Sequence, residues 1–182
     1  MVGEPLPLKV EPSLIHRLFY PQVPLVMACQ YRGRVSAMPV VSYASVSDSP
    51  PMVAVACNPG GFTCKLAQRA GSFSLSLLDR GHLKALARLA TMSGAKVKDK
   101  LADAGLEHDD GVALKVPVIR GSHATLECEL KFSKRTGDHL LLVAEARAAR
   151  STGAFTDSWD YARYEPILYT GWKDGMTTYP GA

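Results

Sequence analysis

The chain is poor in several features that mark large protein classes. Cysteine occurs four times, at Cys29, Cys57, Cys64 and Cys128. Four scattered thiols in 182 residues cannot form a disulfide framework, and no Cys-x-x-Cys or zinc-type His/Cys spacing occurs. Four reduced, mostly buried thiols and no metal site are expected. No apolar run approaches the roughly 18 residues that a membrane-spanning helix needs. Residues 1–11 lack the basic and apolar regions of a secretory signal, so a cytoplasmic location is expected. Asparagine appears once, at Asn58. The Gly-x-Gly-x-x-Gly, P-loop, His-Glu-x-x-His and Gly-x-Ser-x-Gly motifs are all missing. His16, His82, His108, His123 and His139 are spread along the whole chain. Any chemistry therefore points to a bound cofactor rather than to a triad or a metal.

Charge is also scarce. The formal net charge is +4, too mild for a nucleic-acid binder, which needs a strongly basic face. Residues 79–100 carry six basic side chains against two acids, which is the entire excess. An anion met there is a reasonable expectation; a solvated helix face is the plainer one.

What is present is a strand-rich pattern. Residues 1–12 read as a proline-rich extended arm. Leu25–Tyr31 and 35–43 read as a hairpin turned by Arg32-Gly33-Arg34, and 45–49 as a small polar stretch ended by Pro50-Pro51. The apolar run 52–57 reads as a buried strand. A loop, Asn58-Pro59-Gly60-Gly61, then leads to a helix at 63–70, with Thr63 as N-cap and Gly71 as stop. Further strands are expected at 72–78, from Val116, at 124–133, where Leu126, Cys128, Leu130 and Phe132 alternate with Thr125, Glu127, Glu129 and Lys131, and at 139–148, with helices at 82–90 and 98–104. Helix propensity competes for 140–150, and the preceding turn Arg135-Thr136-Gly137-Asp138 favours a strand. This is a mainly β domain with helices, an antiparallel barrel covering 1–182. Half of the fourteen aromatic residues follow Ser151, as rings packed on the barrel or as a self-association surface.

One constellation carries chemistry. A glycine loop feeding a helix presents unpaired N–H groups to an anion, and the small-residue stretch 38–47 leaves room for a planar ligand along a strand edge. Each signal alone is weak.

Taken in order, five segments resemble the flavin reductase-like family. They are Ser45-Val46-Ser47-Asp48-Ser49-Pro50-Pro51, the strand and loop from Val53 to Thr63, Gly71-Ser72-Phe73-Ser74-Leu75-Ser76-Leu77-Leu78, Ser93-Gly94 with Asp99-Lys100, and Gly137-Asp138-His139 before a strand. Pro166-Ile167-Leu168-Tyr169 is similar to the family's last strand. The resemblance implies a Greek-key split β-barrel of the FMN-binding type. It implies a homodimer that binds FMN, or FAD, with NADH or NADPH as hydride donor. The flavin ring would lie along Met38, Pro39, Val40, Val41, Ser42, Ala44 and Ser45. The phosphate would meet the loop of Asn58, Pro59, Gly60, Phe62 and Thr63, and a second segment with Ser93, Gly94 and either Lys98 or Lys100. His139 would stand beside flavin and nicotinamide as the catalytic residue. Ala144-Glu145 replaces the family's Gly-Glu pair, which implies less room near the ring. The implied activity is an NAD(P)H:flavin oxidoreductase that supplies a partner monooxygenase component. The alternatives are a flavoredoxin-like electron carrier, a ferric reductase, or a barrel that merely binds a ligand such as haem.

Overall fold

The structure is a computed structural model that describes residues 9–171 and 175–178. Most of the expected arm, together with Trp172 and Tyr179, lies outside the described residues. Strands β1 (Leu25–Tyr31) and β2 (Arg34–Val40) form the expected hairpin. Arg32 and Gly33 both hold positive φ, 49° and 75°, the conformation a two-residue hairpin turn demands and glycine adopts freely.

The chain continues through β3 (Tyr43–Asp48), β4 (Pro51–Cys57), α1 (Phe62–Ala70), β5 (Ser72–Leu77), α2 (Leu83–Thr91) and α3 (Lys100–Asp103). A short ladder follows, β6 (His108–Asp110) with β7 (Pro117–Ile119). Two long strands, β8 (Ala124–Thr136) and β9 (His139–Ser151), come next, and β10 (Ile167–Tyr169) pairs with β11 (Met176–Thr178). The turn at Gly137-Asp138 pairs β9 back onto β8, so the strand reading of 139–148 holds. Fixed by pairing, this segment gains ladder bonds and buries Leu142, Val143 and Ala144, which outweighs its helix propensity.

Seven strands form one antiparallel sheet in the order β2-β1-β5-β8-β9-β4-β3. Its two edge strands, β2 and β3, are consecutive in the chain and joined by Val41 and Ser42 alone. So short a joint brings the sheet's two ends together, and the sheet has to curl. The Ala56 amide donates to the Ser42 carbonyl at 2.8 Å, which extends the β3–β4 ladder up to this joint. Apolar clusters lie on both faces of β1. Met27 and Cys29 join Val55, Cys64, Leu66, Phe73 and Leu142; Val26 and Ala28 join Leu78, Leu86, Leu89, Leu101 and Ile167. Burial on both faces explains why β1 is a continuous apolar run rather than an alternating one. Each fully buried leucine here contributes about 2 kcal/mol.

Four expectations are corrected. The strand expected over 35–43 breaks at Val41-Ser42, because the chain there changes from one sheet edge to the other. The polar stretch 45–49 is largely strand β3, since an edge strand can keep its serines in water. Thr63 is not an N-cap: α1 starts at Phe62, Gly61 caps it without a side-chain bond, and Thr63 is buried. Alternation along β8 also fails to sort inside from outside. Glu127 is buried while Phe132 is 54% exposed, because bulges at Glu127/Cys128 and Leu130/Phe132 shift the register.

The described rings of the aromatic segment pack largely on their own chain. Tyr164, 3% exposed, lies between the tilted rings of His123 and Trp159, with centroids 5.0 and 4.8 Å away.

Candidate functional site

A cavity of about 1020 Å³ opens at the seam where the sheet's ends meet. Its walls are the end of β2 (Met38, Pro39, Val40), the joint Val41-Ser42, Tyr43, and the end of β4 with Asn58. Asp138 and His139 enter from the β8–β9 turn, Leu89 and Ala90 from α2, and Lys100 from α3. Eight residues expected from sequence thus converge: Met38, Pro39, Val40, Val41, Ser42, Asn58, Lys100 and His139.

The others stand apart from the walls. Ala44 and Ser45 continue along β3. Pro59 and Gly60 belong to the turn behind Asn58, whose Oδ1 accepts from the Gly60 amide at 2.7 Å. The Thr63 hydroxyl points inward: it donates to the Ala37 carbonyl at 3.3 Å and shares a 2.9 Å hydrogen bond with Ser36. Phe62 packs under Arg34. Gly94 is buried, while Ser93 and Lys98 are exposed. Ala144 lies in the interior cluster, so its methyl takes no space from the cavity. The reason is its place on β9, five residues beyond the His139 end that reaches the wall.

Lys100 is 3% exposed and makes no hydrogen bond or ion pair with any described residue. Burial lowers its ammonium from the ordinary 10.5. Its backbone is held by the preceding residue. Asp99 accepts from the Leu101 and Ala102 amides, both at 3.0 Å, to cap α3. A buried cation facing a largely apolar cavity is costly alone and favourable once an anion or a row of carbonyl oxygens meets it.

His139 is half-buried at the rim, its Nδ1 2.7 Å from Asp138 Oδ1. That hydrogen bond holds the Asp138 carboxyl below its ordinary range.

No motif pointed to the part of the cavity wall that residues before β1 supply. His16, Phe19 and Tyr20 come from a 3-10 segment, Pro12–Phe19. Tyr20 meets Tyr169 edge-on, with centroids 4.8 Å apart, and Gln22 and Tyr169 exchange two backbone hydrogen bonds. Only the aromatic enrichment after Ser151 hinted at Tyr169. A second cavity, about 250 Å³, holds none of the expected residues, and its Arg120 is already paired with Asp109 and Glu107.

The flavin reductase like domain family matches residues 16–170. The chain belongs to the flavin reductase-like family. It is 32% identical over 158 residues to an uncharacterized protein of Aeropyrum pernix, covering 86% of this chain and 60% of the relative. It therefore spans less than two thirds of that relative's length. It is 30% identical over 122 residues to a flavin reductase of Pseudomonas putida, covering 67% of this chain and 68% of that one. Its fold superposes on the FMN-binding protein of Thermus thermophilus, solved with bound 1-cyclohex-2-enone, at a TM-score of 0.79. That pair is 28% identical and covers 94% and 93% of the two chains.

Proposed function

We propose that residues 1–182 form one flavin-binding domain and that the protein is an NAD(P)H:flavin oxidoreductase holding FMN, with FAD as the second choice. One observation carries the reading: a family member places a buried, unpaired lysine in the wall of an apolar cavity large enough for a tricyclic ring. The residues fit the group. Lys100 offers a positive charge, Asn58 an amide, and Met38–Val40 a flat apolar wall. When bound, the flavin supplies a two-electron acceptor for a hydride from NADH or NADPH.

The chain's own part is binding and orientation. Lys100 would hold an anionic or carbonyl-bearing edge. Asn58 would add a hydrogen bond at the phosphate side. His139, with Nδ1 on Asp138, is oriented at the rim, where a nicotinamide would arrive. Val41-Ser42 and the aromatic wall exclude water. The four thiols are free, which suits the reducing cytoplasm. No helix among the described residues is long and apolar enough to cross a membrane.

Homodimerisation is part of the reading. None of Pro12–Phe19 is buried, although Leu14, Ile15, Leu18 and Phe19 are 41–70% exposed; a second copy is the natural cover. Reduced flavin would pass to a separate monooxygenase component.

The test is direct. Protein with excess FMN and NADH or NADPH should bleach the nicotinamide absorbance above an enzyme-free blank. Inertness with both nucleotides overturns the oxidoreductase reading. Co-purified flavin without turnover would make the protein an electron carrier instead.

A further inference from the structure

Arg34 does not line the cavity, and its place at a hairpin end gave it no prominence in the sequence. Its contacts nevertheless reach both segments on which the flavin reading depends. The two hydrogens of Nη2 are shared among the carbonyls of Gly94 and Ala95, each at 3.0 Å, and of Val97 at 2.7 Å. The guanidinium carbon lies 4.9 Å from the Phe62 ring centroid, a cation–π contact. Phe62 opens α1 directly after the Asn58–Gly61 loop. On the other side the chain runs from Val97 to Lys98, whose carbonyl accepts from the Val35 amide at 2.9 Å. Asp99 follows and caps α3, and Lys100 is next.

Gly94 shows how closely this segment is pressed. A methyl group there would collide with the Ser36 hydroxyl and lie 2.9 Å from the Phe62 ring. The segment 94–98 is thus gripped by Arg34 at its carbonyls and by β2 along its backbone. Arg34 Nε is buried and has no hydrogen-bond partner among the described residues. An orphaned buried donor is unfavourable. A guanidinium kept there despite that cost has its use in the Nη2 contacts to three carbonyls and in its flat face on Phe62.

We infer that Arg34 is a positioning residue for the flavin site. One guanidinium fixes the 94–98 segment, and through it Lys100, against the Phe62 end of the loop that begins at Asn58. Lysine cannot replace it, because an ammonium has no flat face to lay on the Phe62 ring. The purpose assigned to Arg34 rests on the flavin reading; the placement of Lys100 does not.

The test uses the full chain with Arg34→Met and Arg34→Lys, Arg34→Ala for chemical rescue, and Arg69→Ala as a control on the exposed side of α1. Two quantities are measured. One is FMN affinity by fluorescence titration. The other is the rate at which an activated ester acylates Lys100 in flavin-free protein, read by peptide mass spectrometry. Both Arg34 variants should bind FMN about tenfold or more weakly, the loss expected from removing charge-assisted hydrogen bonds. Both should expose Lys100 to several-fold faster acylation, while Arg69→Ala matches the parent protein. In Arg34→Ala, millimolar ethylguanidinium should restore part of both properties.

Acylation of Lys100 at the parent rate in folded Arg34→Met and Arg34→Lys overturns the inference. So does an FMN defect in Arg34→Ala that ethylguanidinium leaves unchanged. Failure of every Arg34 variant to fold also overturns it, since Arg34 is then a folding determinant. If the parent protein binds no FMN, the flavin reading falls, and Lys100 acylation alone decides the placement.

Discussion

His108 Nε2 stands 2.9 Å from Oδ2 of Asp99, the residue immediately before Lys100. A histidine on β6 thus braces the carboxylate that caps the helix carrying the buried cation. Burial pushes the Asp99 carboxyl up, but hydrogen bonds from His108 and the Ala102 and Leu101 amides outweigh it and leave the group below the usual 3.8. A carboxyl lowered in the folded state stabilises fully above its unfolded value. That stabilisation is lost as pH falls through the folded value.

Asp99→Ala should therefore cost about 1 kcal/mol near neutral pH, the usual value of an N-cap. Its stability should also fall less steeply than the parent's below about pH 4. Urea midpoints from pH 2.5 to 7 check both statements. Parallel curves for the two proteins would show that the Asp99 clasp is not formed.

Lys98 and Lys100 should behave in opposite ways. Lys100→Met should weaken FMN binding about tenfold or more and leave the flavin-free melting temperature unchanged or raised, because a buried unpaired charge is removed. Lys98→Met, at an exposed position, should change neither by much. Isothermal titration and thermal melts give the comparison. Parent affinity should also weaken at a pH below the ordinary lysine value of 10.5, since the lowered ammonium loses its proton early.

His139→Gln should separate binding from turnover. The His139 ring sits at the rim, so FMN affinity should hold within about threefold. The value of kcat/KM for the nicotinamide should drop on the order of 10- to 100-fold, the lower range for a positioned acid–base or orienting group. Steady-state kinetics with both nucleotides decides it. An unchanged kcat/KM would leave His139 as a surface residue.

Gly94→Ala should destabilise the protein by about 1–3 kcal/mol through overpacking against Ser36 and Phe62. Adding Ser36→Ala removes the hydroxyl in the way and should recover part of that loss, a coupling visible in a double-mutant cycle. Strict additivity would mean that the segment shifts as a whole.

Glu127 tests the fold away from the cavity. Its buried carboxylate accepts from the Val112, Ala113 and Leu114 amides at 2.8–2.9 Å. Glu127→Ala should cost about 2–4 kcal/mol by leaving those donors unpaired, with FMN affinity per folded molecule unaltered. Denaturant unfolding and titration of the folded fraction check the pair.

Much of the architecture was legible in the order of residues. Apolar runs, alternation and glycine turns marked β1, β4, β5, β8 and β9, because those patterns record which faces meet water. The turn at Gly137-Asp138 even settled the contest over 140–150. The string of motifs marked the family, and it picked out Asn58, His139 and the undecided pair Lys98 and Lys100 from distant parts of the chain.

Tertiary structure decided what depends on distance. Lys98 and Lys100 look alike in sequence; only the packing of α3 against β2 buries one and leaves the other in water. Thr63 resembles a cap until the fold brings Ser36 and Ala37 to its hydroxyl. Residues 12–24 carried no pattern, yet Tyr20 reaches the cavity because its contact with Tyr169 spans the length of the chain. Arg34 was the least visible of all. Its role comes from three carbonyls some sixty residues away, and no local pattern encodes a hydrogen bond to a backbone that folding alone brings near.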